Sequence, residues 1–337
     1  MSPPASDIAP RPCRLCGSCD LADYVRLGEM HTVICRQCGL VQMARAYSLD
    51  VLTEIYDSLE EEPELLRSSF AEKRVLRVVR FRAGRLQRYT GLRSGRILEV
   101  GSAQGHFLAE LRSRGFEVLG VEPSSYGAAR HREKGIPVIN DFLERADLPE
   151  RTFDAISLFH VLEHLEEPLE AARRFHSLLK SGGHLVVEVP DIFSFAAKFE
   201  KNPWNLFKKE HICYYSASTL PVLMERAGFR QVAAPHHDHD GFRLPFGMPL
   251  KKMLWYLFNR DFPGLLDRLA RGEPPSPAPG RDAAAPAQPP GKPRSPFRLK
   301  MKTLRKTLSA PLDMLFGYLA YRLDLGVNLF WVGRKEP

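Results

Sequence analysis

The sequence predicts a doubly wound α/β domain on a mostly parallel sheet, and three observations predict it. From Arg96 onward, short apolar runs of strand type alternate with segments of helical spacing, a rhythm that covers a parallel sheet with helices on both faces. Glycines stand where the first of these strands turns into the first helix, at Gly101 and Gly105, and a glycine backbone lets a ligand approach closely at such a turn. Acids then recur at successive strand ends, Glu99, Glu122 and Asp141, on the sheet edge where open α/β folds bind ligands.

The elements follow in order. Residues 12–45 read as a small cysteine-bearing module. Residues 49–95 read as a helical connector or lid, with Leu65, Leu66 and Phe70 on one face and Val75, Leu76, Val79 and Leu86 on another. The core spans 96–235, with strands expected at 96–101, 117–122, 137–140, 153–159, 184–189 and 229–234. Helices are expected at 105–114, 124–134, 168–179 and 216–227, the last stopped by Gly228. Residues 236–325 break the rhythm and read as a helical insertion. Its two helical patterns, 250–269 and 298–323, flank a linker at 272–297 rich in Pro, Ala and Gly, expected to be disordered or extended. The run VNLFWVG (327–333) reads as a last strand, so that 326–335 returns to the core.

Composition narrows the class. Apolar residues make up 44% and charged residues 26% of the 337, as in an ordinary soluble globular protein. The N-terminus lacks a basic segment followed by an apolar run, and no apolar stretch is long enough to span a bilayer, so the expected location is the cytoplasm. The net charge is +8 and uneven: Arg67 to Arg96 contains a single acid, Glu72, and a second basic run covers 292–306. Two readings of the 67–96 stretch stay open, a solvated helix face or a surface for an anionic partner such as a phosphorylated substrate, a membrane or nucleic acid.

Five of the six cysteines fall between Cys13 and Cys38. Cys13 and Cys16 form one C-x-x-C pair, Cys35 and Cys38 a second, with 18 residues between them. That spacing reads as a structural zinc site, in which four thiolates close a tetrahedron and leave no place for water. Cys19 makes a further C-x-x-C with Cys16, which leaves one ligand open to reassignment. The module lacks the dense basic and aromatic surface of a nucleic-acid-binding ribbon.

The segment RILEVGSAQGHF (96–107) places Glu99 in a strand, Gly101 at its end and Gly105 at the opening of a helix. The dinucleotide pattern G-x-G-x-x-G is absent. Glu122 ends the next strand 21 residues after Gly101, where a carboxylate can take both hydroxyls of a ribose. Asp141 follows the third strand and can accept from an adenine amino group, and Phe142 can pack on the ring.

These residues resemble the class I S-adenosylmethionine-dependent methyltransferases over roughly 96–234 together with the final strand. Glu99-x-Gly101-x-Ala103-x-Gly105 matches the family's E/D-x-G-x-G-x-G motif, with Ala103 in place of the middle glycine. The resemblance implies a Rossmann-like sheet of seven strands, the last antiparallel, and it makes 235–325 a long insertion before that strand. It also implies a cofactor, S-adenosylmethionine, held at its amino group by Glu99, at its ribose by Glu122 and at its adenine by Asp141 and Phe142. Ser102 and Phe159 join Gly101 and Gly105 as expected cofactor neighbours. The four-cysteine module ahead of this core is similar to that of a subgroup including deoxysugar C-methyltransferases, in which Tyr56 would stand near the cofactor.

Methyl transfer needs an aligned acceptor and usually a base. Two segments compete to supply it. His160-x-x-Glu163-His164 follows the fourth core strand. It is similar to the zinc-protease pattern H-x-x-E-H, a reading rejected because the segment follows a strand. It also resembles the E-x-x-E-H of metal-using quinone O-methyltransferases, with His160 replacing the first Glu. His164 is read as fixing the loop beneath the cofactor. The second segment, WNLFKKEHICYYS, resembles the Glu-His pair of the deoxysugar enzymes, which makes His211 the base beside Glu210, with Tyr214 and Tyr215 lining the pocket. His236, His237 and His239 are read as a solvated loop.

The expected function is methyl transfer to a small, anionic acceptor, a sugar nucleotide or related glycan precursor, at carbon or oxygen. The alternatives are a nucleic-acid methyltransferase and an O-methyltransferase of a quinone, phenol or lipid-linked substrate. A non-catalytic module is argued against by the intact Glu99, Glu122 and Asp141. The insertion helices are read as lid or core packing, with peripheral membrane contact as the alternative.

Overall fold

Alternating polar and apolar side chains near the N-terminus build a small antiparallel sheet. The computed structural model describes residues 11–27, 30–45, 69–194, 207–208, 210–238 and 328–336, and all that follows concerns these. The expectations for Tyr56, for the connector before residue 69, for His239 and for the insertion and its linker fall outside the described residues. Strands β1 (Leu21–Leu27), β2 (Met30–Cys35) and β3 (Val41–Met43) pair in sequence. A fourth strand comes from far along the chain: β9 (Cys213–Tyr214) pairs with β3, Gln42 opposite Cys213 and Val41 opposite Tyr214. The cysteine module and the later core segment thus share one sheet.

Helix α1 (Ser69–Thr90) leads into the core. Its buried stripe is Val79, Ala83 and Leu86, the spacing of one helical face. Val75, expected on that face, is exposed. Part of the basic charge of this helix turns inward: Arg85 stacks on the Phe330 ring at 3.5 Å and Arg82 on Phe159 at 4.4 Å.

The main sheet then alternates with helices: β4 (Arg96–Val100), α2 (His106–Ser113), β5 (Glu117–Val121), α3 (Ser125–Glu133), β6 (Val138–Ile139), β7 (Phe153–Phe159), α4 (Pro168–Leu178), β8 (Leu179–Pro190), α5 (Thr219–Arg226), β10 (Phe229–Asp238) and β11 (Asn328–Lys335). The order across the sheet is β10-β11-β8-β7-β4-β5-β6. β4 through β8 run parallel, and β11 lies antiparallel between β8 and β10. This is the seven-stranded Rossmann-like methyltransferase arrangement, with the antiparallel strand where it was expected. The central strands β7 and β8 are buried on both faces, which explains their nearly continuous apolar runs.

One expectation fails in the main sheet. The HHDHD segment is not a solvated loop through Asp238: β10 continues, with His236 opposite Phe330 and His237 opposite Leu329. Strand pairing with β11 outweighed the polar composition there. Among the described residues, no helix is long and apolar enough to cross a membrane.

Candidate functional site

The C-terminal ends of β4, β5 and β7 open onto a cleft of about 290 Å³. Gly101, Ala103, Glu122, Phe142, His160 and His164 are among the residues lining it. The turn after β4 is left-handed at three points, Gly101 (φ 67°), Ala103 (φ 47°) and Gly105 (φ 72°). A Cβ on Gly101 would collide with the Val161 side chain, and one on Gly105 would meet the His131 ring at 2.8 Å. Ala103 therefore occupies a conformation that costs an L-residue roughly 1–2 kcal/mol, which accounts for a glycine in the general motif.

Glu99 is 5% exposed and its Oε2 is buried with no hydrogen-bond partner. Burial pushes its carboxyl well above the usual range, against the pull of Arg82. A buried carboxylate oxygen without a donor fits a ligand that brings one, as the cofactor's amino group does. Glu122 is gripped by the loop it faces: its Oε2 accepts from Ala103 N at 2.7 Å and its Oε1 from Ser124 N at 3.0 Å. Burial raises its carboxyl, and these two N–H groups oppose the rise.

The remaining expected cofactor residues divide. Phe142 lines the cleft. Asp141 accepts from Arg145 Nε at 2.7 Å and from Phe142 N at 2.8 Å, and Arg145 holds its carboxyl below the usual range. Ser102 is buried, its hydroxyl 2.6 Å from where a Cβ on Gly120 would stand. Phe159 lies edge-on to Phe107, with ring centroids 4.8 Å apart.

The H-x-x-E-H segment forms a single 3-10 turn, Leu162–His164. His160, with φ 59°, stands between two buried glutamates: Nδ1 is 3.3 Å from Glu163 Oε1, and Nε2 is 3.3 Å from Glu188 Oε1. Burial alone would lower its pKa, but the two carboxylates raise it to about 9. Arg82 completes this cluster with a two-pronged ion pair to Glu188, one arm at 3.3 Å. Burial pushes the Glu188 carboxyl up, and Arg82 and His160 more than offset it. Glu188, Arg82 and Asn328, whose Nδ2 is 3.3 Å from His160 Nε2, were not foreseen. A lone acid inside the apolar run HLVVEVP was the available signal.

The segment carrying the expected base is clamped into place. Ile212 N donates to Glu163 O at 2.7 Å, and Met43 N donates to Ile212 O at 2.8 Å. His211 is thereby buried at 5% exposure, so it is no idle surface histidine. Its ring stands edge-on to His164, centroids 4.8 Å apart. Burial pushes His211 down to about 3, which keeps the imidazole neutral. His164, lowered mainly by burial, donates through Nδ1 to the Glu210 carbonyl, 3.0 Å away. That partner has no proton to give, so Nδ1 carries the hydrogen and Nε2 the lone pair. Glu210 thus meets the site through its backbone. Tyr214 and Tyr215 are buried, and the Tyr215 hydroxyl donates to Leu162 O at 3.3 Å.

The four cysteines Cys13, Cys16, Cys35 and Cys38 come together, their sulfur atoms all within 4.8 Å of one another. The two C-x-x-C-G turns repeat one geometry: Gly17 N donates to Cys13 O and Gly39 N to Cys35 O, at φ 76° and 78°. Burial pushes the Cys35 thiol up, but the N–H groups of Cys38 and Gln37 bring it to about 7. Such a donor set fits a tetrahedral metal ion. Cys19 is exposed and Cys213 buried, both outside the cluster.

Residues 69–234 match a family model described as a methyltransferase domain. Over 107 residues the chain is 33% identical to the ubiquinone biosynthesis O-methyltransferase of Proteus mirabilis, covering 29% of this chain and 43% of that protein. Over 157 residues it is 27% identical to the tRNA U34 carboxymethyltransferase of Idiomarina loihiensis, covering 43% and 49%. The chain thus spans under half the length of these relatives. Among solved structures, a chain from the complex of the Haloferax volcanii Trm112 methyltransferase activator with a methyltransferase aligns at TM-score 0.51 and 13% identity, covering 85% of this chain and 97% of that one. At that identity the likeness speaks for the fold. Sequence match, strand order and cleft agree that the chain carries a class I S-adenosylmethionine-dependent methyltransferase domain.

Proposed function

We propose that the chain methylates a small anionic acceptor, a sugar nucleotide or related glycan precursor, at carbon or oxygen. The observation that carries the catalytic part is the buried, unpartnered oxygen of Glu99, on the strand whose next residues, Val100 and Gly101, line the cleft together with Glu122 and Phe142. In this reading Glu99 takes the cofactor's amino group and Glu122 the ribose, while Phe142 forms the wall for the adenine. Bound S-adenosylmethionine supplies an electrophilic sulfonium methyl group. The acceptor is activated at the far corner of the cleft, where His164 lines the wall and Glu163 and His211 lie behind it. His160 and the Glu210 carbonyl position that corner.

The acceptor class is supported by the pairing of a four-cysteine module, read here as a zinc site, with the Glu210-His211 segment. That combination is the one the deoxysugar enzymes share. Residues 12–45 then form the zinc module and 236–325 an insertion ahead of the final strand. Two measurements test the proposal. Calorimetry should show that Glu122→Ala loses most S-adenosylmethionine affinity. A labelled-methyl screen of the full chain over sugar nucleotides, quinols, other phenols and tRNA should give transfer to the first group. Transfer to quinols alone would move the function to the O-methyltransferase alternative, and transfer to tRNA alone would sink the small-molecule reading.

A further inference from the structure

We propose that His131 and Lys134 are positioning residues for the cofactor: from α3 and its C-terminal cap they hold the glycine loop 101–105 in the left-handed course that S-adenosylmethionine would meet. The proposal rests on reading the cleft as the cofactor site, and it concerns two residues that are not among those lining the cleft.

Three observations carry it. The first is register. Gly127, His131 and Lys134 stand at positions i, i+4 and i+7, on one helical face, and each meets a different residue of the loop. A Cβ on Gly127 would meet Ala103 O at 2.6 Å. Lys134 Nζ donates to Gln104 O at 2.9 Å. The His131 ring lies against Gly105, where an added Cβ would stand 2.9 Å from Nε2. Helix face and loop thus run side by side over three consecutive loop residues.

The second is the state of His131. It is 0% exposed, and its Nδ1 is 2.8 Å from Gly127 O. A carbonyl only accepts, so Nδ1 carries the hydrogen and Nε2 the lone pair. Burial lowers the pKa of the ring, which keeps it neutral. The lone-pair edge then rests against the loop without a second N–H that would need an acceptor. Nε2 has no partner, and the Ser102 hydroxyl, also buried and without one, faces the same point above Gly120. Burying unpaired polar atoms costs free energy, and a leucine would fill the space without that cost.

The third is what the loop needs. Gly101, Ala103 and Gly105 are all left-handed, and Ala103 stays so only where its surroundings hold it. Glu122 Oε2 accepts from Ala103 N, but that carboxylate is also the group read as taking the ribose, so loop and ligand share it. Lys134 and His131 hold the loop independently of the ligand. A loop already in its bound course spares the cofactor the cost of ordering it.

S-adenosylmethionine calorimetry on the full chain tests the proposal. Lys134→Met keeps the aliphatic stem and removes the donor, and affinity should fall about three- to tenfold, part of the worth of a hydrogen bond from a charged group. Lys134→Arg should restore most of it. Arg132→Met removes the same charge from an exposed position of the same helix and should bind as the wild type does. Ala103→Gly added to Lys134→Met should recover affinity, because glycine keeps the left-handed course without a brace. General destabilisation would not be repaired in that way. His131→Asn vacates the ring's contact, so the Gly105 amide, which donates to Ser102 O at 2.8 Å, should exchange faster than global unfolding accounts for. Because that variant can fail to fold, nitrogen-15 NMR of the wild type provides an independent reading: His131 should be the neutral Nδ1–H tautomer. Unchanged affinity in Lys134→Met, an equal loss in Arg132→Met, no recovery with Ala103→Gly, or the opposite tautomer would overturn the positioning role, and normal wild-type binding would leave the proposed function standing. No S-adenosylmethionine binding by the wild type would remove the cofactor reading itself, and the positioning role with it.

Discussion

The cysteine cluster and the Glu163-His164-His211 cluster both bring candidate ligand atoms within 4.8 Å of one another, yet they are built in opposite ways. The cysteines lie within a stretch of 26 residues, and each pair is set by its own turn, closed by Gly17 or Gly39 in the left-handed region. The second cluster takes two residues from one turn and the third from 47 positions further on. Its geometry depends on Ile212, whose N–H is held by Glu163 O and whose carbonyl is held by Met43 N of the cysteine module. Arg14 adds to the same join, its guanidinium reaching Glu166 O and Met43 O. The comparison teaches that the first cluster is fixed by local spacing and then serves as scaffold for the second. The N-terminal sheet supports the corner of the cleft at His164 through Met43 and Ile212.

The strongest way to break this comparison is to remove a cysteine. If the cysteine cluster holds zinc as proposed, Cys35→Ser should abolish zinc binding and unfold the β1–β3 sheet, the largest effect expected, because metal binding and folding are one process in small metal modules and are worth on the order of 10–16 kcal/mol in zinc-finger peptides. Zinc content and hydrogen exchange at the Ile212 amide measure the two ends together. Protection at Ile212 should fall with the zinc. If the zinc were gone and Ile212 remained fully protected, the module would not be the scaffold.

A sharper comparison sets Glu163 against Glu188, the two glutamates flanking His160. Glu188 is closed by its own partner, Arg82, whereas Glu163 has no hydrogen-bond partner on either oxygen. Arg82→Met should therefore cost about 3–5 kcal/mol in urea denaturation, since it strands a buried carboxylate. Glu188→Gln in the same chain should recover most of that loss, because the stranded charge is then gone. Strict additivity of the two substitutions would mean that the pair is not coupled.

These contrasts also explain what could be read from the sequence. The seven strands and the cysteine set were legible, because strand periodicity and C-x-x-C spacing are local signals, whereas the antiparallel last strand was implied by the family resemblance. Glu99 and Glu122 were singled out because strand ends mark the ligand edge of the sheet, and Glu122 lines the cleft there. Asp141 was read as facing adenine, and its ion pair with Arg145, four residues on, was missed. Ser102 and Phe159 were read as cofactor neighbours from their places beside motif residues, and both side chains are buried, Phe159 against Phe107. The joining of β9 to the cysteine module's sheet, and with it the meeting of His211 and His164, is a tertiary event that no local pattern encodes. The same holds for His236 and His237, whose polar run suggested a loop until β11 was there to pair with it.

Glu99 offers a test of the cofactor end through its protonation. Burial raises its carboxyl, so above the ordinary carboxylate range the folded protein holds a proton there that the unfolded chain has already lost. The sign follows from linkage: this group lowers stability as pH rises through its raised pKa, the reverse of a paired carboxylate. A bound ammonium favours the charged form, so cofactor binding should release a proton and affinity should rise with pH over the same window. Calorimetry in buffers of different ionisation enthalpy measures the release. Glu99→Gln should abolish it and weaken binding by about 1.5–3 kcal/mol, the worth of a hydrogen bond to a charged group. Proton release unchanged in that variant would place the titrating group elsewhere.

The smallest expected effect concerns the strut between the two clusters. Tyr215 is 1% exposed, and its hydroxyl donates to the carbonyl of Leu162, the residue before Glu163. Tyr215→Phe keeps the buried ring and removes the hydrogen bond, so denaturation should show a loss of about 1 kcal/mol. Zinc content should be unchanged, since the sulfur ligands are positioned by their own turns. Hydrogen exchange at the Ile212 amide should rise only in proportion to that stability loss, because the Ile212–Glu163 and Met43–Ile212 bonds still hold the turn. A selective loss of Ile212 protection, larger than the global loss, would mean that the hydroxyl rather than the backbone clamp sets the position of Glu163. The support from the cysteine module would then be secondary to a single side chain of the core.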